Sequence, residues 1–203
     1  MSTHLKPFKA SRQEIWQRLS AAIGANYVPG TFWKGDKVQA THGEWTIQLD
    51  TFMVMMGNAP VSFTRLRAPF VNPDQFRFTI SRRDVFQDIA KWFGMQDVEV
   101  GHADFDRDFI IKGTDEAKLR ALFDAQRIRE LISAQPRVHL TVKDDEGWFG
   151  PEFPPDADEL SFVVPGIIKD EERLKQLFEL FAETLEQLCR IGSAYGTAPQ
   201  VKL

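Results

Sequence analysis

The stretch GHADFDRDFIIKG, Gly101 to Gly113, sets His102, Asp104, Asp106 and Asp108 at every second position. On a β-strand alternate side chains share a face, so this spacing gathers an imidazole and three carboxylates on one side and Phe105, Phe109 and Ile111 on the other. Neighbours i and i+2 stand roughly 7 Å apart, close enough for His102, Asp104 and Asp106 to converge on a hard or borderline cation. Like charges along one strand also call for opposite charges on the next, and Arg65, Arg67, Arg77, Arg82 and Arg83 lie in segments that alternate as strands do. Charge pairing requires less fixed geometry than a metal centre. The expectation is therefore an acidic, arginine-compensated face, with no metal and no cofactor. On this reading Arg107 falls on the apolar face, where a guanidinium snorkels at a sheet end or meets an anion.

Two aromatic clusters offer a different chemistry. Tyr27, Phe32 and Trp33 fall in one Gly/Pro-punctuated segment, and Trp148, Phe149 and Phe153 in another, DDEGWFGPEFPPDADE. Loops run over the surface and bulky aromatics need cover. These six residues either cap the open end of a sheet or line a pocket for a small apolar ligand or a partner. The run FMVMM, Phe52 to Met56, reads as hairpin packing, although Met-rich surfaces adapt readily to ligands. From Arg65 to Arg83 the chain carries five Arg against one Asp, interleaved with Phe70, Phe76 and Phe78. That pattern resembles a single-strand nucleic-acid surface, but the phenylalanines alternate as a core face should, and the net charge of −4 argues against nucleic acid. The sequence has no G-x-S-x-G, P-loop, H-E-x-x-H or C-x-x-C pattern. HGE at His42 to Glu44 reads as a turn.

The elements that must position these residues follow from periodicity. Ser11 with Glu14 has capping-box spacing ahead of Ile15, Trp16, Leu19, Ala22 and Ile23, which predicts a helix ending at Gly24. About four antiparallel strands follow: Trp45, Ile47 and Leu49 alternate with polar residues, as do Phe76, Phe78 and Ile80. Asp84 to Gly94 reads as a short capped helix, the quoted acidic strand comes next, and Thr114 is placed to cap one long helix over DEAKLRALFDAQRIRELI. Two strands, RVHLTV and LSFVV, precede a last helix from about Asp170 to Ile191, and the final GSAYGTAPQVKL reads as frayed. Strands joined by short turns with few helices make an α+β fold, a mainly antiparallel sheet with helices on one face. It is read as a single domain over 1–203, the alternative being two packed subdomains, 1–94 and 95–203.

The span Gly94 to Ile191 resembles a group of uncharacterised bacterial proteins, through GMQDVEVGHADFDRDFIIKGTDEAKLRALF, IRELI, VKDDEG and LSFVVPGIIKDEERLKQLFELF. FDRDFIIKGTDE, with its F-[DE]-x-x-F core, is the most specific element. The resemblance implies no activity. It implies that Phe105, Asp106, Phe109, Gly113, Asp115 and Glu116 form a recurring strand-turn-helix unit.

A chain of 203 residues with 43% hydrophobic residues and 17 Phe can bury an aromatic-rich core without metal or disulfides. The sole cysteine, Cys189, stands in a helical pattern and fits a reducing compartment. No run of 18 apolar residues and no leader-like N-terminus occurs, so a cytoplasmic protein without membrane insertion is expected. The reading is a non-enzymatic binding module acting on a protein partner or on itself. The alternative is a carrier or enzyme for a small apolar ligand held under the aromatic loops.

Overall fold

The computed structural model describes residues 10–31, 35–83, 97–144, 153–199 and 201. Helix α1 (Arg12–Ile23) starts as the capping box dictates: Ser11 Oγ accepts from Glu14 N, and Glu14 returns to Ser11 N at 2.7 Å. It stops at Gly24, whose φ of 66° closes the last turn. Strands β1 (Asn26–Val28), β2 (Lys37–His42), β3 (Trp45–Met56), β4 (Ala59–Val71) and β5 (Phe78–Arg82) follow. Then come α2 (Ala103–Asp108), β6 (Phe109–Gly113), α3 (Glu116–Phe123), α4 (Gln126–Ser133), β7 (His139–Lys143), β8 (Ala157–Pro165) and α5 (Glu171–Arg190).

All eight strands join one antiparallel sheet in the order β1-β2-β3-β4-β8-β7-β5-β6. The expected α+β architecture is what the chain adopts. Strand alternation sends Trp45, Ile47, Leu49, Leu66, Ala68, Phe70, Leu140, Leu160 and Phe162 to one face. There they form a single buried cluster with Trp16 and Leu19 of α1, Leu119 and Phe123 of α3, Ile128 and Leu131 of α4, and Leu174, Leu177 and Phe181 of α5. None of the described helices is long and apolar enough to cross a membrane.

Several expectations change. GHADFDRDF is not a strand: Ala103–Asp108 is helix α2, and the strand begins only at Phe109. The chain reverses at Gly101, where φ is +91°, and Asp106 turns back so that its carboxylate accepts from the backbone N–H groups of Val100, Gly101 and His102 at 2.8, 3.0 and 2.9 Å. Alternation in the sequence could not distinguish a strand face from one helical turn closed by a side chain. The predicted long helix is two, α3 and α4, broken at Asp124–Ala125, and its cap is Asp115 rather than Thr114. The Asp115 carboxylate accepts from Lys118 N at 3.0 Å, while Thr114 Oγ1 accepts from Arg77 N across the strands. The predicted helix over Asp84 to Gly94 lies outside the described residues. The C-terminal segment is not frayed throughout: Tyr195 N donates to Val71 O at 3.1 Å, and Ser193 is tied to Asp74 and Lys118.

Candidate functional site

The side chains that alternate away from the core form the second face of the sheet, opposite the layer of described helices. Across the strands their register gives one transverse row, Asn26, Gln39, Gln48, Arg67, Ser161, Thr141, Thr79 and Lys112. Gln48, Arg67, Ser161, Thr141 and Thr79 are buried, although every one is polar.

The row is organised around Asp50. Its carboxylate accepts from Arg65 Nε and Nη2 at 2.9 and 3.1 Å, from Gln48 Nε2 at 2.8 Å, and pairs with Arg67 Nη2 at 3.0 Å. A carboxylate only accepts, so Gln48 must turn its amide nitrogen to Asp50 and its oxygen outward. That oxygen accepts from Gln39 Nε2 at 2.9 Å and from Lys37 Nζ at 3.3 Å. Gln39 in turn keeps its own Oε1 as an acceptor. The charge at Asp50 thus fixes the orientation of two amides and passes an acceptor to the β2 side of the sheet.

At that side lies a cavity of about 370 Å³. Its sheet wall is Gln39, Glu44, Thr46 and Pro69, and its opposite wall is Ala198, Pro199 and Val201 of the C-terminal segment. The polar groups are an amide oxygen, a carboxylate and a hydroxyl. This wall favours hydrogen-bond donors, with apolar surface supplied by the prolines and Val201. In the other direction Arg65 lies over the ring of Phe52 at 5.2 Å, and Phe52 stacks on Phe63 at 5.2 Å, where the polar network gives way to the apolar β3–β4 hairpin.

Further along the row the hydroxyls of Ser161, Thr141 and Thr79 are buried with no hydrogen-bond partner among the described residues. Ser81 Oγ and His139 Nδ1 stand 3.0 Å apart, a nucleophile–base contact in outline. Both lie on mid-sheet strands paired at Ser81 and His139, so the pair works as a cross-strand tie.

The residues singled out by sequence are dispersed. Tyr27 is half-buried on β1, at the root of the first aromatic loop. Asp36 clamps that root: it accepts from Gly30 N and Arg12 Nη2, both at 2.8 Å. Burial alone would raise the Asp36 carboxyl, but the Gly30 N–H and the Arg12 guanidinium hold it below the usual carboxylate range; burial first, and then the Asp36 charge, push the Tyr27 phenol up. Phe32, Trp33, Trp148 and Phe149 lie outside the described residues, and Phe153 is half-buried where the chain enters β8. His102, Asp104 and Asp108 border a shallow cleft against Gln126, Arg129 and Glu130 of α4. Asp106 faces the opposite way, into its backbone clamp, so the His102/Asp104/Asp106 set does not converge. Among the described residues no group of three or more His, Cys, Asp or Glu is placed to hold a metal.

Of the expected arginine partners only Arg83 reaches the segment, donating to the Asp106 backbone carbonyl at 3.1 Å, and the others are engaged elsewhere. Arg65 and Arg67 bind Asp50, Arg77 binds Asp144 and Asp158, and Arg82 donates to the carbonyls of Gln135 and Ser133. Arg107 is exposed on α2 and holds Asp104 and Asp108 at 2.7 and 3.0 Å, which corrects its placement on an apolar face. Gln39, Gln48, Asp50 and Thr46 were not among the predicted site residues. Their only sequence signal was polar parity on two strands, and parity does not tell a wet face from a covered one.

No family model and no curated protein matches the chain. Among solved structures, the crystal structure of the mycobacterial trehalose monomycolate transport factor A is similar over 94% of this chain and 98% of that one, at 9% identity and a TM-score of 0.46. At that level the similarity carries no functional argument.

Proposed function

We propose that the protein is a binding module that carries a small ligand in the cavity between this second sheet face and the C-terminal segment. The observation that supports this reading is the cavity itself. Its volume of about 370 Å³ falls within the roughly 300–1,000 Å³ of small-molecule sites, and the Asp50–Gln48–Gln39 relay pre-orients one of its walls. The ligand class is a compact molecule with hydrogen-bond donors, such as an amine or a polyol, on an apolar frame that packs against Pro69, Pro199 and Val201. This pocket is separate from the one expected under the aromatic loops, most of whose residues lie outside the described residues, and it adds polar demands to the apolar ligand expected from sequence.

Thermal-shift screening with such compounds tests the proposal. A hit raises the melting temperature of the native chain in proportion to the logarithm of its concentration above Kd. It has no effect on Thr46→Trp, whose indole fills the cavity. A compound that stabilises both proteins equally binds elsewhere and refutes the assignment.

A further inference from the structure

Helix α5 is closed by its own backbone. Gly192 N donates to Cys189 O at 3.0 Å and Ser193 N to Leu188 O at 2.8 Å, with Gly192 at a φ of +77°, so these carbonyls are met without any side chain. The Ser193 hydroxyl is nevertheless fully buried between opposite charges. It donates to Asp74 Oδ2 at 2.9 Å and accepts from Lys118 Nζ at 3.0 Å, and Lys118 pairs directly with Asp74. Asp74 belongs to the turn between β4 and β5, where its other oxygen accepts from Phe76 N at 3.0 Å and Gln75 takes a φ of +56°, uncommon outside glycine. Lys118 belongs to α3. Hydrogen bonds to charged groups are about twice as strong as neutral ones, so three separate elements fix the direction in which the chain leaves α5.

That direction leads to the cavity. The β3–β4 register ends at Gln48–Arg67, whereas β8 follows β4 as far as Val71. On the side of β4 that β3 has left, Val71 bridges to Tyr195, whose N–H donates to Val71 O at 3.1 Å. This bridge stands two residues along β4 from Pro69 of the sheet wall, and past Tyr195 the same segment supplies Ala198, Pro199 and Val201 as the opposite wall. The width of the cavity is therefore set by where the segment is pinned, first at Ser193 and then at Tyr195.

We infer, resting on the reading of this cavity as a ligand site, that Asp74, Lys118 and Ser193 are its positioning residues: a latch that touches no ligand holds the outer wall at its distance from the sheet and so sets the affinity. By linkage, a ligand that needs the wall in place strengthens the latch by the same factor that the latch adds to its binding.

Amide hydrogen exchange and probe binding on the full chain test this, comparing the native protein with Ser193→Ala and with Lys118→Met, which keeps the aliphatic stem. Exchange at the Tyr195 N–H is expected to quicken at least about tenfold in both variants, while Leu140 and Phe162 keep their native rates. Cyclohexylamine and cyclohexanediol, an amine and a polyol on an apolar ring, are titrated against the Thr46 amide shift, and their affinity is expected to fall at least about fivefold in both variants. Unchanged exchange at Tyr195 overturns the latch, and so does an equal rise at Leu140 and Phe162, which is loss of global stability. Faster exchange at Tyr195 with native affinity overturns the positioning role. Faster exchange with neither compound binding the native chain refutes the cavity as a ligand site, and the coupling with it, while the latch on the wall stands.

Discussion

The two faces of strands β4 and β8 are built from alternate residues of the same segments, yet they work by opposite physics. On the helix side Leu66, Ala68, Leu160 and Phe162 interlock with α5 and the other helices, and their burial is favourable in itself. On the other side Arg67, Glu159 and Ser161 are as thoroughly buried, but each removes polar atoms from water. Where a carboxylate organises the partners, as at Asp50, that desolvation is offset; the hydroxyls of Ser161, Thr141 and Thr79 have no partner among the described residues. One face is held together by apolar burial, and the other by polar pairing around Asp50.

The sharpest way to break this contrast is to truncate one residue on the core face. Phe162→Ala should cost about 3–5 kcal/mol through lost burial and a cavity, read from urea unfolding; a cost below about 1 kcal/mol would mean that the helices are not packed as described. On the opposite face, Asp50→Ala leaves Arg65 and Arg67 without their shared carboxylate and should cost about 3 kcal/mol. An unchanged denaturation midpoint would show that Asp50 does not organise the row.

The acidic segment sharpens the comparison between paired and unpaired polar groups. Asp106→Ala removes the acceptor of three backbone N–H groups and should cost about 2 kcal/mol, while Asp104→Ala and Asp108→Ala, which lose only exposed pairs to Arg107, should each cost less than about 1 kcal/mol. Equal effects at all three positions would contradict the clamp.

That segment also shows what the sequence could and could not disclose. The capping box at Ser11 and Glu14, the stop at Gly24, the final helix from about Asp170 and the core alternation of Trp45, Ile47 and Leu49 were legible because each is a local rule acting within a few residues. HADFDRD was misread because its decisive interaction, a carboxylate returning to the N–H groups of the preceding turn, leaves the same every-second-residue pattern as a strand. Gly113 is a clearer case of a long-range cause. A Cβ there would stand 2.9 Å from both Arg77 O and Leu119 Cδ1, a crowding visible only once β5 and α3 are in place. The cavity was hidden for a related reason, since Val201 and Gln39 meet only through the path of the chain after Tyr195.

A pH titration separates the loop clamp from the core. Asp36 has a folded pKa below its unfolded value, so its contribution to stability is fully present above the ordinary aspartate range and is lost as pH falls through the depressed value. Asp36→Asn should therefore lower the melting temperature at neutral pH, and the gap to the native protein should close in acid. A gap that persists at low pH would assign the loss to packing. The smallest effect is expected at Ser161→Ala, which deletes a buried hydroxyl with no partner among the described residues and should change stability by less than about 0.5 kcal/mol, or raise it.

Mapping amide chemical shifts of the isotopically labelled full chain during titration with a compound that stabilises it locates the ligand site on or off the sheet face that bears Gln39 and Thr46. Saturable shifts are expected at Gln39, Glu44, Thr46 and Val201, spreading to Gln48 and Asp50 through the amide relay, with the α3, α4 and α5 amides unmoved. Shifts confined to the helical layer, or to the cleft between α2 and α4, would contradict that placement.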